Sequence, residues 1–233
     1  METRIDQETA FGPRPKLAPA GVERARVPHV YKRIAPIYDW WGELTESRAR
    51  RECLEQAAIR DGEAVLEVAV GTGLAFEEIV RRNPGGRNEG VDVTPEMLAQ
   101  AQAKLAARGA TNFNLQVGDA YDLPFPDESF DALVNNYMFD LLPEADFARV
   151  LTEFRRVLRP GGRLVLINMA VGETLGNRIW DIVYWVSPAL LGGCRGVALM
   201  PYVQAAGFED ARRVSFSQLT FPSELITARR TRA

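Results

Sequence analysis

From Glu63 onward the chain alternates short apolar runs with amphipathic stretches. Residues 64–69 are an apolar run closed by Gly71 and Gly73, which predicts a strand followed by a glycine turn. Leu74–Arg82 has helical spacing. Gly90-Val91-Asp92 ends a second strand. Thr94 then predicts a helix cap, with Pro95 at the first helical position and Met97, Leu98, Ala101 and Leu105 on the buried face. Phe113–Val117 and Phe130–Asn136 predict a third and fourth strand. Residues 144–158 predict an amphipathic helix, Pro160-Gly161-Gly162 a turn and residues 163–169 a fifth strand. Strands alternating with helices of this length predict an α/β, Rossmann-like fold: a mostly parallel sheet with helices on both faces. Residues 212–216 and 219–227 read as closing strands.

The flanks are read differently. Residues 1–22 hold Pro13, Pro15 and Pro19 with little periodicity and read as a flexible tail. Residues 23–60 read as an N-terminal helical lid, with Leu44, Cys53, Leu54, Ala57 and Ala58 on one stripe. Residues 61–233 form the main domain, with an insertion around 172–200. That insertion holds Trp180, Tyr184 and Trp185 at helical spacing, between Arg178 and Arg195. It reads either as a buried helix or as an apolar cap that meets a lipophilic ligand or a membrane surface.

Composition narrows the class. The chain has 233 residues, 46% of them hydrophobic and 25% charged, as in an ordinary globular protein. Its net charge of −3 argues against general nucleic-acid binding. Two cysteines and one histidine offer neither a disulfide framework nor metal-ligand spacing, and each cysteine reads as a small buried hydrophobe. The longest uncharged stretches, 182–194 and 196–208, are 13 residues each. A membrane span needs about 20. With no signal peptide read at its start, the chain is expected in the cytoplasm, either free or peripheral at a membrane.

Chemistry concentrates at predicted strand ends. The glycine turn after Glu67 lets a ligand approach backbone, and the following helix offers free N–H groups. A dinucleotide site places a third glycine where this chain has Phe76, which counts against a nicotinamide-dependent oxidoreductase. Glu67 suits a cationic ligand, such as the ammonium and sulfonium of S-adenosylmethionine. Asp92 suits ribose hydroxyls. Asp119, in Gly118-Asp119-Ala120, suits the exocyclic amine of adenine. A binding module without catalysis uses the same residues, and turnover discriminates it.

Together these pieces resemble the class I S-adenosylmethionine-dependent methyltransferases. The matching motifs are Val65-Leu-Glu-Val-Ala-Val-Gly-Thr-Gly73, Gly90-Val-Asp-Val-Thr-Pro-Glu-Met-Leu98, Gly118-Asp-Ala-Tyr-Asp-Leu-Pro-Phe125, Ser129-Phe-Asp131 and Leu158-Arg-Pro-Gly-Gly-Arg163. Upstream, Tyr31-Lys-Arg-Ile-Ala-Pro-Ile-Tyr-Asp39 is similar to the segment before the core in ubiquinone/menaquinone C-methyltransferases. A related segment occurs in bacterial phospholipid N-methyltransferases. The resemblance implies a seven-stranded sheet with its last strand antiparallel. It implies methionine-moiety contacts at Glu67, Ala69, Gly71, Thr72 and Gly73, and approach of Asn136 to the same portion. It further implies ribose contacts at Asp92, adenine contacts at Val93, Met97, Gly118, Asp119 and Ala120, and closure by Tyr31 and Tyr38.

Three departures from the family pattern are visible. Ala69 stands where glycine is usual, and alanine is tolerable there only at negative φ. Asn88 and Glu89 are polar where the second strand is usually apolar. The Asn135-Asn136-Tyr137 segment lacks the arginine that quinone C-methyltransferases carry. The implied acceptor is an apolar small molecule: first a polyprenyl quinol carbon, then a phospholipid amine of the phosphatidylethanolamine type, then a soluble secondary metabolite. His29, Tyr137 and Asp140, with Asp39, are the candidate catalytic groups near the expected pocket, His29 because its ordinary pKa lies near neutrality.

Overall fold

A strand with no exposed side chain must be covered on both faces, and Ala64–Val68 is such a strand, buried along all five residues. The computed structural model describes residues 4–6, 45–171, 180 and 194–232. Within them the chain runs β1 (Arg4–Asp6), α1 (Ser47–Ala57), β2 (Ala64–Val68), α2 (Leu74–Arg82), β3 (Arg87–Asp92), α3 (Pro95–Ala107) and β4 (Phe113–Val117). It continues through β5 (Phe130–Asn136), α4 (Phe147–Val157), β6 (Leu158–Met169), α5 (Met200–Ala205), β7 (Phe208–Gln218) and β8 (Phe221–Arg230).

All eight strands form one sheet in the order β1-β7-β8-β6-β5-β2-β3-β4. The pairs β2·β3, β2·β5, β3·β4 and β5·β6 are parallel. The last strand, β8, is antiparallel to both neighbours. The seven strands from β2 to β8 are thus the sheet that the family resemblance implies. Arg4–Asp6, inside the segment read as a tail, adds an eighth at the edge by pairing antiparallel with β7. Strand order reverses between β2 and β5, and a ligand crevice lies outside the carboxyl ends of the strands at such a point.

Side-chain alternation divides the core in two. On one face Leu66, Leu133, Leu164 and Leu166 meet Phe147, Val150, Leu151 and Phe154 of α4. On the other, Val65, Ala132, Val134, Val165 and Ile167 meet Cys53 of α1, Phe76 and Ile79 of α2, and Leu98 and Ala101 of α3. Phe76 is fully buried and packs edge-on to Phe113 at 6.3 Å. A Cβ on Gly90 would fall 2.6 Å from Leu115, 2.8 Å from Val70 and 3.2 Å from Phe76. The large ring on the helix and the bare backbone on the strand are therefore complementary.

Several local expectations shift. The helix expected over 144–158 is a 3₁₀ turn, Glu144–Asp146, followed by α4. Pro160-Gly161-Gly162 lies inside β6 as an irregularity. Partners run from Phe130↔Leu158 to Ala132↔Arg163, so the extra residues bulge out of register. Thr94 does occupy the N-cap with Pro95 following, but it makes no side-chain cap bond. Its hydroxyl serves Asp92 instead. Ala58 is exposed at the left-handed C-cap of α1 rather than on its buried stripe. The closing strands are longer than expected because Leu219 and Thr220, at φ +50° and +65°, make a two-residue hairpin turn.

The polar departures in β3 have a structural reason. Asn88 is buried, accepts from Asn83 Nδ2 at 2.9 Å, and donates to the carbonyls of Asn83 and Asn112 at 3.1 and 2.9 Å. Asn83 Oδ1 also accepts the Gly62 N–H. Three asparagines thus replace apolar contact where strand and loops meet. Among the described residues no helix is long and apolar enough to cross a membrane. Leu44, Arg178, Tyr184 and Trp185 lie outside the described residues.

Candidate functional site

The loop after β2 is built from left-handed backbone. Ala69, Gly71 and Gly73 have φ of +61°, +56° and +85°. The condition of negative φ at Ala69 is not met: its methyl group sits in a conformation that L-residues resist. The next three residues bring Gly73 against α3, where an added Cβ would lie 2.9 Å from that of Ala101. Glycine is thus required there on two counts, angle and space.

Asp92 holds this loop in place. Its Oδ2 accepts the Gly71 N–H at 2.8 Å and its Oδ1 accepts the Thr94 N–H at 2.8 Å. Burial raises its pKa, and the hydrogen bonds from Gly71 and Thr94 oppose that. The Thr94 hydroxyl and the Val93 N–H also bond this carboxylate, so a ribose hydroxyl would share its oxygens with donors already in place. The structural role of Asp92 as a clamp on the glycine turn carried no sequence signal of its own.

Glu67 stands on β2 and Asn136 on β5, on the two sides of the switch point. Asn136 Nδ2 donates to Glu67 Oε1 at 3.0 Å. Glu67 Oε2 and Asn136 Oδ1 are buried without a hydrogen-bond partner. With Glu67 ionised both are acceptors, and a cationic donor is what would favour that ionised form. Burial pushes the Glu67 carboxyl up to about 8, with the Asn136 bond opposing. An ammonium group in reach would supply donors and charge together. This is the fit that a methionine amino group offers. In the same terms, Asp92 and its neighbours offer acceptors to a ribose.

The remaining cofactor candidates line the same edge. Val93 is a large hydrophobe that stands half exposed, and Met97 is buried on α3. Gly118 N donates to the Asp92 carbonyl at 3.1 Å, which joins β4 to β3 at their ends. Asp119 accepts the Tyr121 N–H at 3.1 Å, and Ala120 and Thr72 are buried. The fold therefore gathers Glu67, Ala69, Gly71, Thr72, Gly73, Asp92, Val93, Met97, Gly118, Asp119, Ala120 and Asn136 at one end of the sheet. Phe76 occupies the third-glycine position of a dinucleotide motif and fills it with packed ring.

The catalytic candidates separate. Tyr137, at φ +49°, is buried and its hydroxyl lies 2.8 Å from Ser223 Oγ. Burial holds its phenol well above the ordinary value. Asp140 is fully buried, accepts the Met169 N–H through Oδ2 at 2.9 Å, and leaves Oδ1 unpartnered. Burial holds its carboxyl well above the ordinary range as well. In both, burial disfavours the charged form of the side chain. His29, Tyr31, Tyr38 and Asp39 lie outside the described residues.

Three polar residues near Asp140 were missed by sequence reading. Glu46, at the start of α1, is buried, and desolvation pushes it up to about 7. Glu224 accepts from Arg213 Nε at 2.7 Å. Asn168 is fully buried with neither side-chain atom partnered. Only Asn168 had a visible signal: it is the one polar residue in Leu164-Val-Leu-Ile-Asn-Met169.

Comparison with known proteins agrees with this geometry. Residues 65–162 match the family model described as a methyltransferase domain. The chain is 32% identical over 165 residues to demethylmenaquinone methyltransferase of Symbiobacterium thermophilum, covering 68% of this chain and 65% of that protein. It is 39% identical over 149 residues to phosphatidylethanolamine N-methyltransferase of Cereibacter sphaeroides, covering 63% and 70%. The chain thus spans just under two thirds of the first relative's length. Among solved structures it is similar to Haemonchus contortus phosphoethanolamine N-methyltransferase 2, bound there to S-adenosylhomocysteine and phosphomonomethylethanolamine. That similarity has a TM-score of 0.64 at 18% identity, over 79% of this chain and 53% of that one. At that identity the likeness is one of fold.

Proposed function

The chain belongs to the class I S-adenosylmethionine-dependent methyltransferases, and from that premise we propose that it moves a methyl group from S-adenosylmethionine to an apolar, lipid-like small molecule, with a polyprenyl quinol carbon as the leading acceptor. The observation that carries the transferase reading is the pair of buried, unpartnered acceptors Glu67 Oε2 and Asn136 Oδ1 at the switch point. S-adenosylmethionine supplies a carbon already activated by its sulfonium. The protein then contributes chiefly proximity and alignment. Glu67 and Asn136 bind the amino-acid end, and Asp92 orients the ribose while holding the glycine turn. Val93 and Met97 offer apolar surface to the adenine, and Asp119 offers an acceptor to its amine.

The acceptor reading is supported by the demethylmenaquinone methyltransferase relative and by the apolar composition of residues 175–200. A phospholipid amine is the second reading. It is favoured by the relative of higher identity, a phosphatidylethanolamine N-methyltransferase, and by the absence of an arginine beside Asn136. Label transfer from methyl-labelled S-adenosylmethionine into a total cell extract separates them. Label in the organic phase, on a species whose mass is that of a quinol, supports the first reading. Label on a phospholipid supports the second, and label only in the aqueous phase ends both.

A further inference from the structure

A two-residue hairpin turn with both φ positive is built best from asparagine and glycine. Between β7 and β8 it is built from Leu219 and Thr220, at φ +50° and +65°. A leucine and a β-branched threonine resist that region. Such outliers persist where the surrounding structure holds them, and they collect at functional sites. The surroundings do hold this turn. Gln218, the residue before it, accepts the Arg48 N–H at 2.9 Å and donates to Ser47 Oγ at 3.1 Å, which ties it to the first turn of α1. Phe216 lies under the Arg48 guanidinium at 5.8 Å. Thr220 Oγ1 accepts the Trp180 indole N–H at 3.1 Å, and the Trp180 ring meets Phe221 edge-on at 5.5 Å. Leu219 itself points outward. It is 61% exposed, more than any other large hydrophobe among the described residues.

The tip stands at the cofactor end of the sheet. Strand β6 reaches that end at Met169, which pairs with Ser223, and the hairpin continues beyond this pair. The Phe221 ring lies 6.2 Å from that of Tyr137, the residue after Asn136. Beside the tip, a groove between α1 and α2 has Gln218 in its wall and four arginines against two carboxylates, Glu55 and Glu78. Both carboxylates bond Arg82 at 2.7 Å. Positive charge is thus in excess where Arg48, Arg50 and Arg51 follow the tip along α1. An exposed leucine and a half-buried indole next to arginines suit an anionic bilayer: the apolar groups enter the acyl boundary and the cations meet the headgroups. We infer that the Leu219-Thr220 turn is a membrane-contact knuckle, in which Leu219, with Trp180 beside it, enters an anionic lipid surface and the arginines at the start of α1 lie against its headgroups. The contact sets the cofactor end of the sheet on the surface that holds a lipid-like acceptor, and in that respect it rests on the acceptor reading above.

The test is co-sedimentation of the whole protein, without cofactor, with vesicles of phosphatidylcholine alone and of phosphatidylcholine mixed with phosphatidylglycerol. The wild type is expected to bind the mixed vesicles, to bind the neutral ones several-fold more weakly, and to leave the mixed ones as salt rises. Leu219→Asn puts at the same φ a residue that accepts it, so its melting temperature is expected to equal or exceed that of the wild type. Its affinity for the mixed vesicles is expected to fall about tenfold or more, through the apolar burial lost. Arg51→Gln is expected to weaken binding to the mixed vesicles and to leave the neutral ones unaffected. Failure of the wild type to bind mixed vesicles overturns the inference, as does equal binding by L219N. A lower melting temperature in L219N overturns it too, since Leu219 would then serve the fold. A dimer that L219N dissociates would mean that a second copy of the chain covers the tip, and replaces the bilayer as its occupant. Equal affinity of the wild type for both vesicles overturns the part given to the arginines. Vesicle binding is read without methyl transfer, so its failure is separate from failure of the acceptor reading, which label transfer decides.

Discussion

Ala69 carries a side chain at φ +61°, where glycine sits without steric cost. The left-handed region costs an L-residue about 1–2 kcal/mol, partly offset by the greater chain entropy that glycine loses on folding. Ala69→Gly is therefore expected to stabilise the protein by about 1 kcal/mol, read as a higher melting temperature. An unchanged or lower melting temperature would mean that the turn relaxes around alanine. Glu67 makes a second prediction. Its carboxyl is raised from 4.5 to about 8 by burial, so the native protein keeps a proton that the unfolded chain has released. The stability it contributes is full below about pH 4.5 and is lost as pH rises towards 8. Glu46, raised to about 7, acts in the same direction. Without cofactor, Glu67→Gln should narrow the fall in urea-determined stability between about pH 5 and 8 by up to a few kcal/mol. An identical slope in wild type and E67Q would show that Glu67 ionises freely in the folded protein.

At the scale of elements, β3 is the instructive case. By its residues, Arg-Asn-Glu-Gly-Val-Asp is a poor strand. It forms because Asn88 exchanges hydrogen bonds with Asn83 and with the Asn112 carbonyl, and because Gly90 leaves room for Phe76 and Leu115. Asn88→Ala takes the side-chain donor from the Asn112 carbonyl, while the Asn83 amide keeps the Glu63 carbonyl and the Asn83 carbonyl keeps Asn112 Nδ2, and the change is expected to cost about 1–3 kcal/mol in urea unfolding. A loss below about 0.5 kcal/mol would show that water replaces the amide. The same logic explains what was legible here. Strand and helix positions followed from periodicity, because burial on two faces demands continuous apolar runs. The ends of α4 and β6 and the Leu219-Thr220 turn were not legible. They depend on which residues the neighbouring strand presents, as in the slip between Phe130↔Leu158 and Ala132↔Arg163.

At the scale of the molecule, the described residues build one sheet with a separate apolar cluster on each face. Neither cluster survives loss of the sheet, so the described elements should unfold together. Cys53 of α1 reports on this. It is fully buried and desolvation pushes its thiol above the usual range. In a Cys194→Ala background, Cys53 is expected to react with an aromatic disulfide only as fast as the protein unfolds globally. Faster reaction in native buffer would show that α1 detaches from the sheet by itself. By itself the sequence determined the α/β alternation, the glycine turn, the acidic residues at successive strand ends and hence the family. These are local patterns, readable because each follows from a period or from a residue type in a turn. Tertiary structure decided the positive φ at Ala69, the clamp of Asp92 on Gly71, and the opposition of Glu67 to Asn136 across the switch point. Those pairings join residues far apart in the chain, and only the strand order β6-β5-β2-β3 sets which of them share an edge.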